Sequence, residues 1–132
     1  MSQQRTVIST GAAPAAIGPY SQAIAVSNLV FCSGQIPLSP ESGQLVGAGD
    51  VAAQTEQVMK NLQAVLAAAG CSFADVARCT IYLSNMGDFA TVNGVYGRYF
   101  PEHPPARVTI AAAGLPRGPT AVPTPAPRSW QH

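Results

Sequence analysis

Charge is scarce in this chain: only 10% of its 132 residues are charged, with seven Lys or Arg against six Asp or Glu. The resulting net charge of +1 gives no general attraction for nucleic acid, anionic lipid or a strongly acidic substrate. Any binding must come from local chemistry. Histidine is nearly lacking, since His103 sits in "PEHPP" and His132 is the last residue. Neither has metal-ligand spacing, and no Cys/His cluster offers the three or four ligands that zinc requires. GxGxxG and GxxxxGK[ST] are both missing, so no dinucleotide or nucleoside triphosphate site is indicated. Cys32, Cys71 and Cys79 are an odd set without CxxC spacing and with apolar neighbours, as expected of reduced thiols in a reducing compartment. The opening "MSQQRTVIST" lacks an apolar stretch after a basic start, and no run nears the roughly 20 apolar residues that span a bilayer. A soluble, cytoplasmic protein without membrane contact is expected.

What is present fits one compact domain, because a chain of 132 residues with 47% hydrophobic content can form a real core. The segments "YSQAIAV" and "NLVFCSG" flank a Ser27-Asn28 turn, which predicts an antiparallel hairpin. Asp50 can cap a helix in which Val51, Val58, Leu62, Val65 and Ala69 recur at helical spacing until Gly70 stops it. From Val76 a strand places Cys79, Ile81 and Leu83 on one face and Arg78, Thr80 and Tyr82 on the other. Asp88 opens a second helix with a stripe of Phe89, Val92, Tyr96 and Tyr99, although Gly94 and Gly97 each cost about 1 kcal/mol relative to Ala. The order β-β-α-β-α-β predicts an α+β fold with helices on one face of a mixed sheet. Residues 1–118 form this domain. From Gly118 onward "GPTAVPTPAPRSWQH" is Pro-rich, and 119–132 reads as an irregular tail that leaves a sheet edge uncovered or hands it to Val122 and Trp130.

The sharpest candidate for chemistry is Arg107, a lone guanidinium in "PPARVTIAAAGLP". Beside Val108 and Ile110 it is costly unless it meets an anion such as a bidentate carboxylate. It could instead snorkel to water at a strand end or pair with Asp or Glu, and periodicity does not decide between these. In "GPYSQA", Gly18 and Pro19 fix a turn that presents Tyr20 and Ser21 as donors, although such turns are often structural. "CSGQIP" sets Gly34 where backbone can approach a small ligand. Ser21, Ser33 and Cys32 are nucleophile types, but His103 is the one histidine in the body of the chain that could activate them.

Together, "APAAIGPYSQA", "SGQIP", "AAQTEQVMKNLQAVLAAAG", "YLSNMGDFATVN" and "PPARVT", in order from about Ala13 to Pro116, closely resemble the reactive intermediate deaminase (RidA, YjgF-like) family. The resemblance implies a chorismate-mutase-like two-layer fold with two helices on one face of the sheet. It also implies a homotrimer with substrate clefts between neighbouring subunits. The implied activity is cofactor-independent hydrolysis of enamines or imines such as 2-aminoacrylate, or 2-iminobutanoate and 2-iminopropanoate, to a 2-keto acid and ammonia. Arg107 matches the family's carboxylate-gripping arginine and Tyr20 its cleft tyrosine. Ser33 and Gly34 match the loop lining the pocket, and Asn93 a polar group near its mouth. Thr109 stands where many members have cysteine, at the position whose backbone carbonyl holds or activates water. The family's glutamate would fall at Val122, within the divergent tail, which predicts reduced turnover and leaves Glu102 or Glu56 as substitutes. The alternatives are a regulatory module that binds small carboxylates without turnover, or an RNA-acting translation inhibitor. The second is not expected of a chain with seven basic residues and no basic cluster.

Overall fold

A computed structural model describes residues 4–116 of the chain, so the domain boundary after Gly118, Val122, Trp130 and the rest of the tail lie outside the described residues. Five strands and two helices follow in the order β1 (Arg5–Ile8), β2 (Ala23–Val26), β3 (Leu29–Cys32), α1 (Val51–Ala68), β4 (Arg78–Leu83), α2 (Phe89–Arg98) and β5 (Ala106–Ala111). The hairpin forms where expected. β2 and β3 pair antiparallel from Val26↔Leu29 to Ala23↔Cys32, and Ser27 takes φ 57° in the two-residue turn. β1 was not foreseen. It pairs antiparallel with β2 from Arg5↔Val26 to Ile8↔Ala23, and only Ile8 of its four residues is even half-buried, so its pattern carries little hydrophobic signal.

α1 keeps both of its expected boundaries. Asp50 accepts from the Ala53 amide, and past the last turn Gly70 adopts φ 77°. There the Cys71 and Gly70 amides donate to the Leu66 and Ala67 carbonyls, a closure that favours glycine at the left-handed residue. Val58, Met59, Leu62 and Val65 are fully buried and Leu66 nearly so, each stabilising the fold by about 1.5–3 kcal/mol. α2 starts differently from the sequence expectation. Asp88 makes no side-chain capping bond; Asn85 instead accepts from the Gly87 amide in the short 3-10 turn before the helix. β4 begins at Arg78, two residues after the expected Val76.

Among the described residues the strands form two hydrogen-bonded groups, an antiparallel β1-β2-β3 and a parallel β4-β5, so both pairing senses of the expected mixed sheet are present. One core nevertheless unites them, because Ala23, Val30 and Cys32 of the first group pack with Cys79, Ile81 and Leu83 of the second against Met59, Leu62, Val92 and Tyr96 of the helices. The architecture is therefore α+β, with both helices sharing the core formed by the inner sheet faces. A second tie joins the helices, where the Tyr99 hydroxyl donates to Glu56 and the Arg98 guanidinium stands 3.5 Å from the same carboxylate.

Candidate active site

Arg107 owes its position to β5. The parallel register sets it opposite Cys79 and sets Thr109 opposite Ile81, so both side chains lie on the helix side of the sheet. Val108 and Ile110 turn to the other face, where they are 41% and 44% exposed. Of the alternatives the sequence left open, an arginine reaching the surface is the one found: all of β5 except half-buried Thr109 is exposed, because β5 has a neighbour on one edge alone among the described strands. The guanidinium is held by two other means. It lies over the rings of Phe89, 5.4 Å from the centroid, and Tyr96, 5.2 Å away, and its Nη1 donates to Asn93 Oδ1. The two rings are seven residues apart on α2, about two turns, and so share a face. Arg107, Asn93, Tyr96, Gly97, Phe100, Pro104 and Pro105 surround an open cleft of about 450 Å³.

The backbone beside Arg107 is also placed for chemistry. The Ala106 amide donates to the Ala77 carbonyl and the Ala112 amide to the Leu83 carbonyl. In a parallel ladder alternate residues bond to the same neighbour, so the backbone groups of Arg107, Thr109 and Ala111 point away from β4, towards an edge that no described strand covers. The Thr109 carbonyl is thereby presented as an acceptor. Its hydroxyl is buried and has no hydrogen-bond partner among the described residues.

Cys79, opposite Arg107 on β4, is buried. Burial pushes its thiol up to about 11, outweighing the opposing pull of the Tyr96 hydroxyl and the Arg107 charge, so the reactive thiolate is scarce near neutrality. Burial, reinforced by Cys79, likewise raises Tyr96 well above the ordinary tyrosine range. The buried Tyr96 hydroxyl has no hydrogen-bond partner of ordinary geometry among the described residues.

Tyr20 and Ser33 line a different cleft of about 300 Å³, with Arg5, Pro19, Ser21, Ile24, Phe31 and Cys32. Gly34 follows Ser33 without lining it. The Tyr20 hydroxyl accepts from the Ile17 amide at 3.3 Å, and the Ser33 hydroxyl donates to the Ser21 carbonyl at 2.6 Å. The structure therefore brings Arg107 and Asn93 together and Tyr20 and Ser33 together, in two separate clefts of one chain. The loops of the second cleft are fixed by two buried amides that sequence reasoning missed. Gln22 accepts from the Thr10 amide and donates to the carbonyls of Thr10, Ala13 and Pro14. Asn61 donates to the carbonyls of Ile36 and Leu38, holding the segment after Ser33 against α1. Asn61 carried a signal, being a polar residue beside Leu62 in the apolar stripe of a helix.

No Asp or Glu lines either cleft. Glu56 is engaged by Tyr99 and Arg98, and Glu102 is exposed outside the Arg107 cleft.

Comparison with known proteins gives this geometry a family. A family model described as Endoribonuclease L-PSP matches residues 10–121, ending one residue short of Val122. The chain belongs to the reactive intermediate deaminase (RidA, YjgF-like) family. It is 57% identical over 116 residues to Protein DfrA of Myxococcus xanthus, covering 86% of this chain and 88% of that one. To the 2-iminobutanoate/2-iminopropanoate deaminase of Mus musculus it is 52% identical over 114 residues, covering 86% and 84%. The crystal structure of a Rid-family protein of unknown function from Yersinia pestis superposes with a TM-score of 0.89 at 40% identity, covering 95% of this chain and 99% of that one. Relatives named deaminases support an enzyme of the Rid family.

Proposed function

We propose that the protein hydrolyses small 2-imino acids, such as 2-iminobutanoate and 2-iminopropanoate, to 2-keto acids and ammonia, in clefts shared between the subunits of a homotrimer. The observation that carries this reading is Arg107 itself: a guanidinium oriented by Asn93 and by two ring faces at the mouth of an open cleft. Its planar fork matches a carboxylate with two parallel hydrogen bonds and fixes a small planar molecule in one orientation. The chemistry then needs little from the protein. An enamine such as 2-aminoacrylate takes a proton on its methylene carbon to give the imine. Water adds to the central carbon, and ammonia leaves from the tetrahedral adduct. The Thr109 carbonyl accepts a hydrogen bond from that water, and Tyr20 supplies a hydroxyl beside the reacting carbon. No cofactor takes part.

The separation of the two halves supports a shared cleft. Arg107 and Asn93 stand in one hollow, Tyr20 and Ser33 in another, so a second copy is needed to bring one set to the other. Association would also cover Val108 and Ile110, large apolar side chains that are 41% and 44% exposed on the outer face of β5. Light scattering checks the assembly, and a monodisperse monomer at micromolar concentration would sink the shared cleft. For activity, the imino acid is generated in place by an amino-acid oxidase, and surviving imine is trapped with semicarbazide. The unaltered protein should lower the initial rate of semicarbazone formation in proportion to its concentration, and an unchanged rate would overturn the reading.

One observation favours a second reading, binding of small carboxylates without efficient turnover: neither cleft is lined by an Asp or Glu. Grafting a family-like "ALVEIEAIA" ending after Gly118 separates the two. A graft about 100-fold faster or more, with 2-ketobutyrate affinity unchanged, supports the binding reading, and equal fast rates support the deaminase. Against RNA cleavage stand, among the described residues, one arginine per cleft and no lining histidine. RNA binding that steepens with falling salt would revive it.

A further inference from the structure

We propose that Arg5 is a specificity-determining residue of the shared cleft, reading a second carboxylate so that the site also takes dicarboxylic 2-imino acids. The proposal rests on the function proposed above and specifies its substrate class. β1 is the edge strand of its sheet, and its register sets Arg5 opposite Val26. The side chain lies on the outer face and reaches the cleft of about 300 Å³ that holds Tyr20 and Ser33. Among the described residues no carboxylate lies within salt-bridge distance of this guanidinium, the one ion pair there being Arg98 with Glu56. Five donors in a rigid fork are thus left for a ligand.

The rest of that cleft explains why the anion would arrive on a carbon chain. Pro19, Ile24 and Phe31 supply apolar wall, while the hydroxyls of Tyr20, Ser21 and Ser33 supply the polar part. A monocarboxylic substrate gripped by a neighbouring copy's arginine at position 107 leaves that wall in contact with a methyl or ethyl group. A substrate longer by one or two methylenes and ending in a carboxylate fills the same wall and meets Arg5. Since Arg5 lines the same cleft as Tyr20 and Ser33, any association that carries those two residues to the carboxylate grip of another copy carries Arg5 as well.

The test is calorimetric titration of the full chain with 2-ketobutyrate and 2-ketoglutarate, in the unaltered protein and in Arg5→Ala and Arg5→Lys. Arg5 is exposed on an edge strand, so the variants should fold, and a thermal melt confirms it. Arg5→Ala should lower 2-ketoglutarate affinity about tenfold more than 2-ketobutyrate affinity, the worth of one charge-assisted contact. Arg5→Lys should recover part of that difference by keeping the charge. Equal effects of Arg5→Ala on both keto acids would overturn the assignment. Binding of 2-ketobutyrate without 2-ketoglutarate by the unaltered protein would remove the proposal and leave the deaminase reading standing. Binding of neither would remove both.

Discussion

The Arg107 cleft and the Tyr20 cleft are held in place by different means. Arg107 rides on a regular strand whose register fixes its height opposite Cys79, and its head is pinned by side chains of one helix, Phe89, Asn93 and Tyr96. Tyr20 and Ser33 stand where strands meet loops. Their positions depend on backbone carbonyls gathered by the buried amides of Gln22 and Asn61. The first arrangement resists displacement because a strand and a helix must move together to disturb it. The second concentrates its stability in a few hydrogen bonds, costly to lose because the amides that make them are buried. A single substitution should therefore harm the first cleft through chemistry and the second through geometry.

The largest expected effect breaks the first cleft. Arg107→Ala should lower kcat/KM by about 100- to 1,000-fold, since truncating one partner of a charge pair that the proposed association would desolvate costs about 2–5 kcal/mol. Arg107→Lys should recover little, because a point charge does not replace a planar fork. Steady-state rates and titration with 2-ketobutyrate read both effects, and unchanged affinity in the alanine variant would take Arg107 out of the site.

Next comes the second cleft. Gln22→Leu keeps the volume but leaves the polar groups of Thr10, Ala13 and Pro14 without their partner, at a cost of about 2–3 kcal/mol in stability. KM should rise more than kcat falls, because the tyrosine loop is displaced rather than removed. Denaturant melts and rate curves test it together. A variant as stable as the parent would show that the loop is held otherwise.

A smaller effect belongs again to the Arg107 side. The Cys79 thiol is raised from 9.0 to about 11 by burial, so above pH 9 the unfolded chain binds fewer protons than the folded one and stability falls as pH rises. The contribution is fully present below pH 9 and lost towards pH 11. Melting temperature followed across that window should drop, and less steeply in Cys79→Ala. Identical slopes would assign the loss to other groups.

The smallest effect lies outside both clefts and serves as their control. Tyr99→Phe removes the hydroxyl that donates to Glu56 and should cost about 1 kcal/mol in stability, while 2-ketobutyrate affinity stays at the parent value. A large loss of affinity would mean that the helix tie transmits strain to Arg107.

Much of this molecule was legible along the chain, for identifiable reasons. α1 could be read from Asp50 to Gly70 because capping and helical periodicity are local, and the β2-β3 hairpin because its strands adjoin in sequence. The ordered motifs from Ala13 to Pro116 carried the family, which long matches specify far better than any single residue. β1 was hidden, since an exposed four-residue edge strand has little pattern to show. Phe89 and Tyr96 were legible as an apolar stripe, yet their contact with Arg107 depends on how α2 lies over β5. That separation in the chain also hid the role of Gln22, whose partners come from a loop up to 12 residues away. The sequence by itself determined the hairpin, the two helices and the family, because these follow from local propensity and from long ordered motifs. Only the tertiary structure decided that Arg107 is exposed rather than buried and that Tyr20 and Ser33 stand in another cleft with Arg5. Those are consequences of strand register and of which edges remain open, and both arise from pairings between segments far apart in the chain.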